Sequence, residues 1–161
     1  MPNMARLSPQ YEHDQFVQAF QNLVRRGWQE SVITNQLHRI FLNLETRTVT
    51  ISKDTGKKDR AGAPVYEQLS DMFIPSSYQW APSLLLKDFF VDGTDMFHVR
   101  GVRITHIFFF IFPDGRSQDV ITNWFDQHDT RESEAGTRFS LTISPLTAKM
   151  TETYGFTKPS T

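Results

Sequence analysis

Apolar and polar positions recur along this chain with two periods, and the change between them falls near residue 35. From Asp14 to Thr34, Phe16, Phe20, Leu23 and Val24 recur at helical spacing, followed by Trp28 and Val32, while Gln, Asn and Arg fill the other faces. This predicts an amphipathic helix over 14–34, about five or six turns long, with Asp14 as its cap. Gly27 in its interior costs roughly 1 kcal/mol relative to Ala and marks a place of close packing against a neighbour. After Asn35 the period becomes two. His38, Ile40, Leu42 and Leu44 alternate with Arg39, Phe41 and Asn43, and Val49 and Ile51 follow beyond Glu45-Thr46-Arg47-Thr48. Two strands joined by a tight connection are expected.

The most apolar stretch is Ile104–Phe112 (ITHIFFFIF), which stops at Pro113-Asp114-Gly115. It is too short for a membrane helix, which needs about 20 apolar residues. β-branched and aromatic residues ended by a turn signal favour a buried strand instead. Pro fixes φ, Asp bonds the backbone two residues on, and Gly permits positive φ. With Arg116–Trp124 as the second strand, this segment is expected to form a central β-hairpin. Phe108-Phe109-Phe110 and Phe89-Phe90 cannot all point the same way, so both faces of their strands are expected to be covered.

Leu84–Val91 reads as a strand turned by Asp92-Gly93, and Val99–Val102 leads toward the apolar run. Arg138–Ser144 and Ala148–Tyr154 are two short strands split by Pro145-Leu146-Thr147. Lys53–Gly62 and Gln127–Gly136 are polar and read as solvated loops. The expected fold is therefore α+β: an N-terminal amphipathic helix packed on antiparallel β-sheets, mostly β after residue 36. Residues 1–161 form one domain in this reading, with 14–34 helical and 36–154 the sheet region. Residues 1–13 are expected to be disordered or a remnant of expression.

Composition narrows the function classes. The chain has 161 residues, 39% hydrophobic and 22% charged, as in a globular protein with a buried core. A formal net charge of −1 with interspersed signs argues against a nucleic-acid surface. There are no cysteines, which excludes disulfides, thiolate metal sites and cysteine nucleophiles. The first fifteen residues lack the apolar h-region of a signal peptide.

Catalytic motifs are missing: there is no phosphate-binding glycine loop, nucleophile elbow or paired-histidine helix. Asp88, Asp92 and Asp95 (DFFVDGTD) offer oxygen ligands, but their spacing is not that of an EF-hand, and an acidic turn is the commoner use. Asp126, His128 and Asp129 form a second mixed cluster, read as a polar loop. His106 lies inside the apolar run, where it is either a buried, satisfied histidine or an acid/base residue in a cavity. No catalytic residue, cofactor or metal is assigned.

The motifs taken together resemble a family. A helix rich in Gln and Val leads into ITNQLHRIFLNLETRTVTI, then LLLKDFFVDG, then FFFIFPDGRSQDVIT, then RFSLTISPLTAKMTETYGFTKP. In that order they resemble the soluble part of H-type minor pseudopilins of type II secretion systems and their type IV pilin relatives, over nearly the whole chain from Phe16. The resemblance implies a non-enzymatic structural subunit of a pseudopilus or pilus-like filament at the periplasmic face of the bacterial inner membrane. Its partners would be other minor pseudopilins, the major pseudopilin and secreted cargo, with membrane contact only through an N-terminal helix that this sequence lacks. Phe16, Phe20, Leu23 and Val24 are the implied packing and assembly residues, and the 54–62 and 127–136 loops the implied partner-facing surfaces. The alternative is a β-rich domain binding a small hydrophobic ligand in an aromatic-lined pocket. A hydrolase or isomerase using His106 with an Asp is a third class.

Overall fold

The computed structural model describes residues 9–70, 73–98, 101–127 and 138–160. Helix α1 spans Pro9–Thr34, 26 residues, and so starts five residues before the expected Asp14. Residues 10–15 are almost entirely polar and carry no apolar period, which is why the first turn was not visible as helix. Pro9 suits a helix start because the missing N–H has no intrahelical partner there, and Glu12 lies favourably in the first turn. The helix stops at Asn35, which takes a left-handed φ of 54°, a conformation Asn tolerates at helix ends.

Ten strands follow: β1 (His38–Asn43), β2 (Thr48–Lys58), β3 (Pro64–Gln68), β4 (Ser77–Gln79), β5 (Leu84–Val91), β6 (Thr94–Asp95), β7 (His106–Ile111), β8 (Val120–Asp126), β9 (Arg138–Ile143) and β10 (Met150–Tyr154). They make two five-stranded antiparallel sheets. The first runs β3-β2-β1-β7, with β4 also pairing β2, and the second runs β10-β9-β8-β5-β6. The fold is α+β, one helix laid on antiparallel sheets.

Two expectations need correction. The apolar run and the strand after it do not form a hairpin. β7 pairs with β1, Phe41 opposite Phe108, whereas β8 lies between β5 and β9 in the other sheet. The Pro113-Asp114-Gly115 turn does close, with the Phe112 amide donating to the Arg116 carbonyl at 2.7 Å and a single bridge from Ile111 to Ser117. The chain then leaves for the second sheet, where the Ser117 amide bonds the Pro145 carbonyl and the Asp119 amide bonds Asp92 Oδ1. The 53–62 segment is also not a free loop, since β2 continues to Lys58 and pairs with β3. Its polar sequence reflects a hairpin with both faces in solvent, where alternation has nothing to bury.

Between the sheets the core is continuous and aromatic. Phe16 lies 4.7 Å from the Trp124 ring and 6.0 Å from Trp80, and the two tryptophans meet edge-on at 5.3 Å. Phe89 of the second sheet meets Phe109 of the first at 6.3 Å. Trp124 Nε1 donates to Thr122 Oγ1 at 2.8 Å, which satisfies an indole that is fully buried. A Cβ on Gly27 would stand 2.8 Å from both Ile51 Cδ1 and Ile111 Cδ1, so α1 presses on the first sheet and a side chain there would have to displace both isoleucine ends.

Candidate assembly surfaces

Helix α1 divides sharply between interior and solvent. Phe16, Phe20, Leu23 and Val24 are all in the core, at most 3% exposed. Their side chains hold the helix on the sheets, and a partner approaching α1 meets other residues. The outward stripe is Gln18, Asn22, Arg25 and Gln29, all exposed, at the spacing that puts them on one helical face. Toward the C-terminal end the half-exposed Trp28 receives the 113–115 turn. Gly115, with φ of 84°, brings its backbone so close that a Cβ there would lie 3.0 Å from Trp28 Nε1.

Two clefts among the described residues are open grooves. One of about 670 Å³ lies between Asn35, Phe112–Asp114 and Pro145-Leu146. Another of about 550 Å³ runs between α1 at Arg25 and Trp28 and the turn at Thr147–Met150. Each has one aromatic side chain in its wall, so neither is the Phe- and Trp-lined cavity of the ligand-binding alternative.

The acidic candidates separate. Asp92, in the β5–β6 turn, is directed instead to the segment leading into β8, its Oδ2 accepting from Gln118 Nε2 at 3.1 Å. Asp88 and Asp95 gather with His98, with ligand-type atoms within 4.8 Å of one another. His98 was not in the expected set because it joins only through the β5–β6 pairing. His98 Nε2 lies 3.3 Å from Asp88 Oδ1 and 2.9 Å from the Lys87 carbonyl oxygen. Asp95 Oδ1 accepts the Phe97 amide, and Asp88 Oδ2 accepts Asn123 Nδ2. These bonds close the β6 turn. Asp126 is buried at the end of β8, whereas His128, Asp129 and most of the 127–136 loop lie outside the described residues. Part of the expected 99–102 segment does as well.

His106 is the clearest correction among the candidates. It is exposed rather than buried, stacks on Phe41 at 5.3 Å and 16°, and has Thr105 Oγ1 at 3.2 Å from its Nδ1. No carboxylate is among those neighbours. The alternation of β7 explains it: Ile107, Phe109 and Ile111 face the core, so His106, Phe108 and Phe110 face outward. The expectation that both faces are covered therefore fails on this sheet. Phe108 is 36% exposed. Arg39, also on the outer face, lays its guanidinium 3.8 Å from the Tyr66 ring centroid, 5.0 Å from Phe41 and 5.2 Å from Phe108. An unbroken aromatic run hides this alternation in the sequence.

The second sheet treats its outer face differently. Asn123, fully buried, donates through Nδ2 to the Thr157 carbonyl at 2.9 Å and accepts the Thr157 amide at 3.0 Å. Ser140 Oγ pairs with Thr157 Oγ1 at 2.7 Å. The C-terminal segment thus lies across that face, over polar side chains.

No protein-family model matches this chain, and no curated protein matches it. Solved structures do. Two structures of the minor pseudopilin EpsH from the type II secretion system of Vibrio cholerae superpose with TM-scores of 0.60 and 0.59. They cover 89% and 93% of this chain and 97% of each counterpart. The fold is that of a minor pseudopilin. Sequence identity is 12% and 14%, so the likeness lies in the path of the backbone and the packing of helix on sheets.

Proposed function

We propose that this protein is a non-enzymatic structural subunit of a pseudopilus or related type IV pilus-like filament in protein secretion. The observation that carries the reading is the pseudopilin fold, matched over about nine-tenths of the chain by structures of a minor pseudopilin. The physics of the surface supports it: a long helix keeps one face in the core and offers a polar stripe to neighbours, which suits side-by-side packing in a filament. Its partners in this reading are the other minor pseudopilins, the major pseudopilin and secreted cargo. The domain is placed at the periplasmic face of the bacterial inner membrane. No helix among the described residues is long and apolar enough to cross a membrane, and in such subunits that task belongs to an apolar N-terminal helix. The β2–β3 hairpin around residues 54–62 and the 127–136 segment are assigned as partner-facing.

The test uses the outward stripe of α1. Gln18→Glu together with Asn22→Glu places two charges on one exposed face, where like-charge and desolvation penalties act on association and hardly on folding. Co-purification with the system's other pseudopilins is expected to fall by at least about tenfold, with the thermal midpoint nearly unchanged. Unchanged co-purification would remove the assigned role from this face.

A further inference from the structure

The outer face of the first sheet carries chemistry that neither the fold nor the proposed assembly role uses. We propose that it is a docking surface for an extended acidic segment of a partner polypeptide, whose carboxylate sits on Arg39 among Phe41, Tyr66 and Phe108. The proposal does not depend on the pseudopilin reading, because this face lies on the side of the sheet opposite α1.

Three observations carry it. The first is a cation with no counter-ion among the described residues. The Arg39 guanidinium is held against three aromatic rings, the nearest centroid 3.8 Å away, and its buried Nε has no hydrogen-bond partner among the described residues. Burial holds its pKa below the usual arginine value, and Tyr66 only partly opposes this. Asp54, opposite Tyr66 in the β2–β3 pairing, directs its carboxylate to the Gly56 amide at 2.8 Å instead. Aromatic rings satisfy a guanidinium's charge but not its N–H donors, and a carboxylate arriving from solvent supplies both charge and an acceptor for the terminal N–H groups, the buried Nε lying out of its direct reach.

The second observation is apolar area beside that cation. Phe108 is 36% exposed, Phe110 meets Tyr66 at 6.3 Å, and the exposed His106 extends the surface by stacking on Phe41. The second sheet covers its own outer face with residues 155–160. Among the described residues nothing comparable lies over this one.

The third is an open sheet edge next to the patch. Among the described strands β7 pairs with β1 alone, apart from the isolated bridge of Ile111 to Ser117. Thr105 turns its carbonyl to the Leu44 amide, so the odd-numbered residues of β7 bond toward β1 and the even-numbered ones away from it. Phe110 on that outward side is occupied by Gln118, through its backbone amide at 3.2 Å and its side-chain oxygen at 2.9 Å. His106 and Phe108 have no backbone partner there among the described residues. An added strand can pair at these two residues while its side chains lie over the aromatic face. One arginine in an aromatic patch, on a chain of net charge −1, suits a carboxylate-bearing peptide better than a nucleic acid, which needs several cations in a row.

The test is an NMR titration of isotopically labelled protein with a blocked hexapeptide of alternating glutamate and valine, and with its glutamine–valine counterpart. The glutamate peptide is expected to shift the Arg39 Nε–Hε resonance and the His106 and Phe108 amides saturably, with the glutamine peptide about tenfold weaker. Arg39→Gln should erase the difference between the two peptides. The wild-type comparison decides the matter even where that variant folds poorly. The proposal is overturned by equal shifts from both peptides, or by no shift at these residues. It is equally overturned if a six-nucleotide oligothymidylate shifts the same residues as strongly. Concentration-dependent shifts of the patch without peptide would assign the face to a second copy of the chain, and would also overturn it.

Discussion

His38 and His13 show how burial and partners pull two histidines in opposite directions. His38 is fully buried on β1, its Nδ1–H donating to the Gln36 carbonyl at 2.9 Å while Nε2 has no partner among the described residues. Burial lowers its pKa below the ordinary 6.5, with the Gln36 carbonyl opposing in part. For His13 burial also acts downward, but the hydrogen bond and charge of Glu152, 3.0 Å away, outweigh it and the pKa is raised. The linkage signs follow. His38 binds protons better when unfolded, so it destabilises the fold as pH drops below 6.5. His13 binds them better when folded, so its stabilisation is present below 6.5 and is lost as pH rises through its folded value. Glu152→Gln removes the latter. The stability difference between wild type and this variant, from urea unfolding, is expected to be largest near pH 6 and to shrink toward about pH 8. A difference that stays constant or grows with pH would contradict the assignment. None of this was legible in the sequence, since His13 and Glu152 are 139 positions apart and meet only because α1 lies beside β10.

Elements were legible wherever a local period met a local turn signal. β1 and β2 alternate around Glu45–Arg47, β5 has the expected bounds, and β9 and β10 flank Pro145–Thr147. What local pattern does not encode is pairing across long sequence separation. The 113–115 turn specifies a reversal of the chain. It does not specify that β8 continues beside β7, and the bonds of Ser117 and Asp119 to the second sheet take it away. The helix–sheet contact was partly legible through Gly27, whose cost in a helix signals a steric need. Gly27→Val tests that need directly. Two added methyl groups and a Cβ would enter space already filled by Ile51 and Ile111, and overpacking of this kind outweighs the gain of about 0.5 kcal/mol in helix propensity. Stability is expected to fall by about 2 kcal/mol in urea unfolding. A more stable variant would mean that helix and sheet do not meet as described.

At the scale of the whole molecule, two sheets share one core but finish their outer faces in different ways. The second sheet uses polar residues tied down by the C-terminal segment through Asn123 and Ser140. The first leaves an aromatic face around Arg39 in the open, and α1 adds a polar stripe on another side. This arrangement suits the proposed subunit, whose work would be contact rather than chemistry. The order of motifs in the sequence pointed to the pseudopilin architecture because the elements and turns recur in order. The candidate surfaces were less legible, because exposure depends on which strands stand beside one another and which segment covers them.

The central claim is that this chain packs into a filament through the outward stripe of α1. The chain has no cysteine, so a single Asn22→Cys places one thiol on that stripe without a competing site. In cells producing the major pseudopilin with cysteines scanned along its helix, mild oxidation is expected to give a specific disulfide-linked heterodimer from Asn22→Cys. A cysteine at Lys87, exposed on β5 of the second sheet, should not give the same adduct. Failure of every exposed position of α1 to cross-link, in protein that is folded and present at normal levels, would contradict the account.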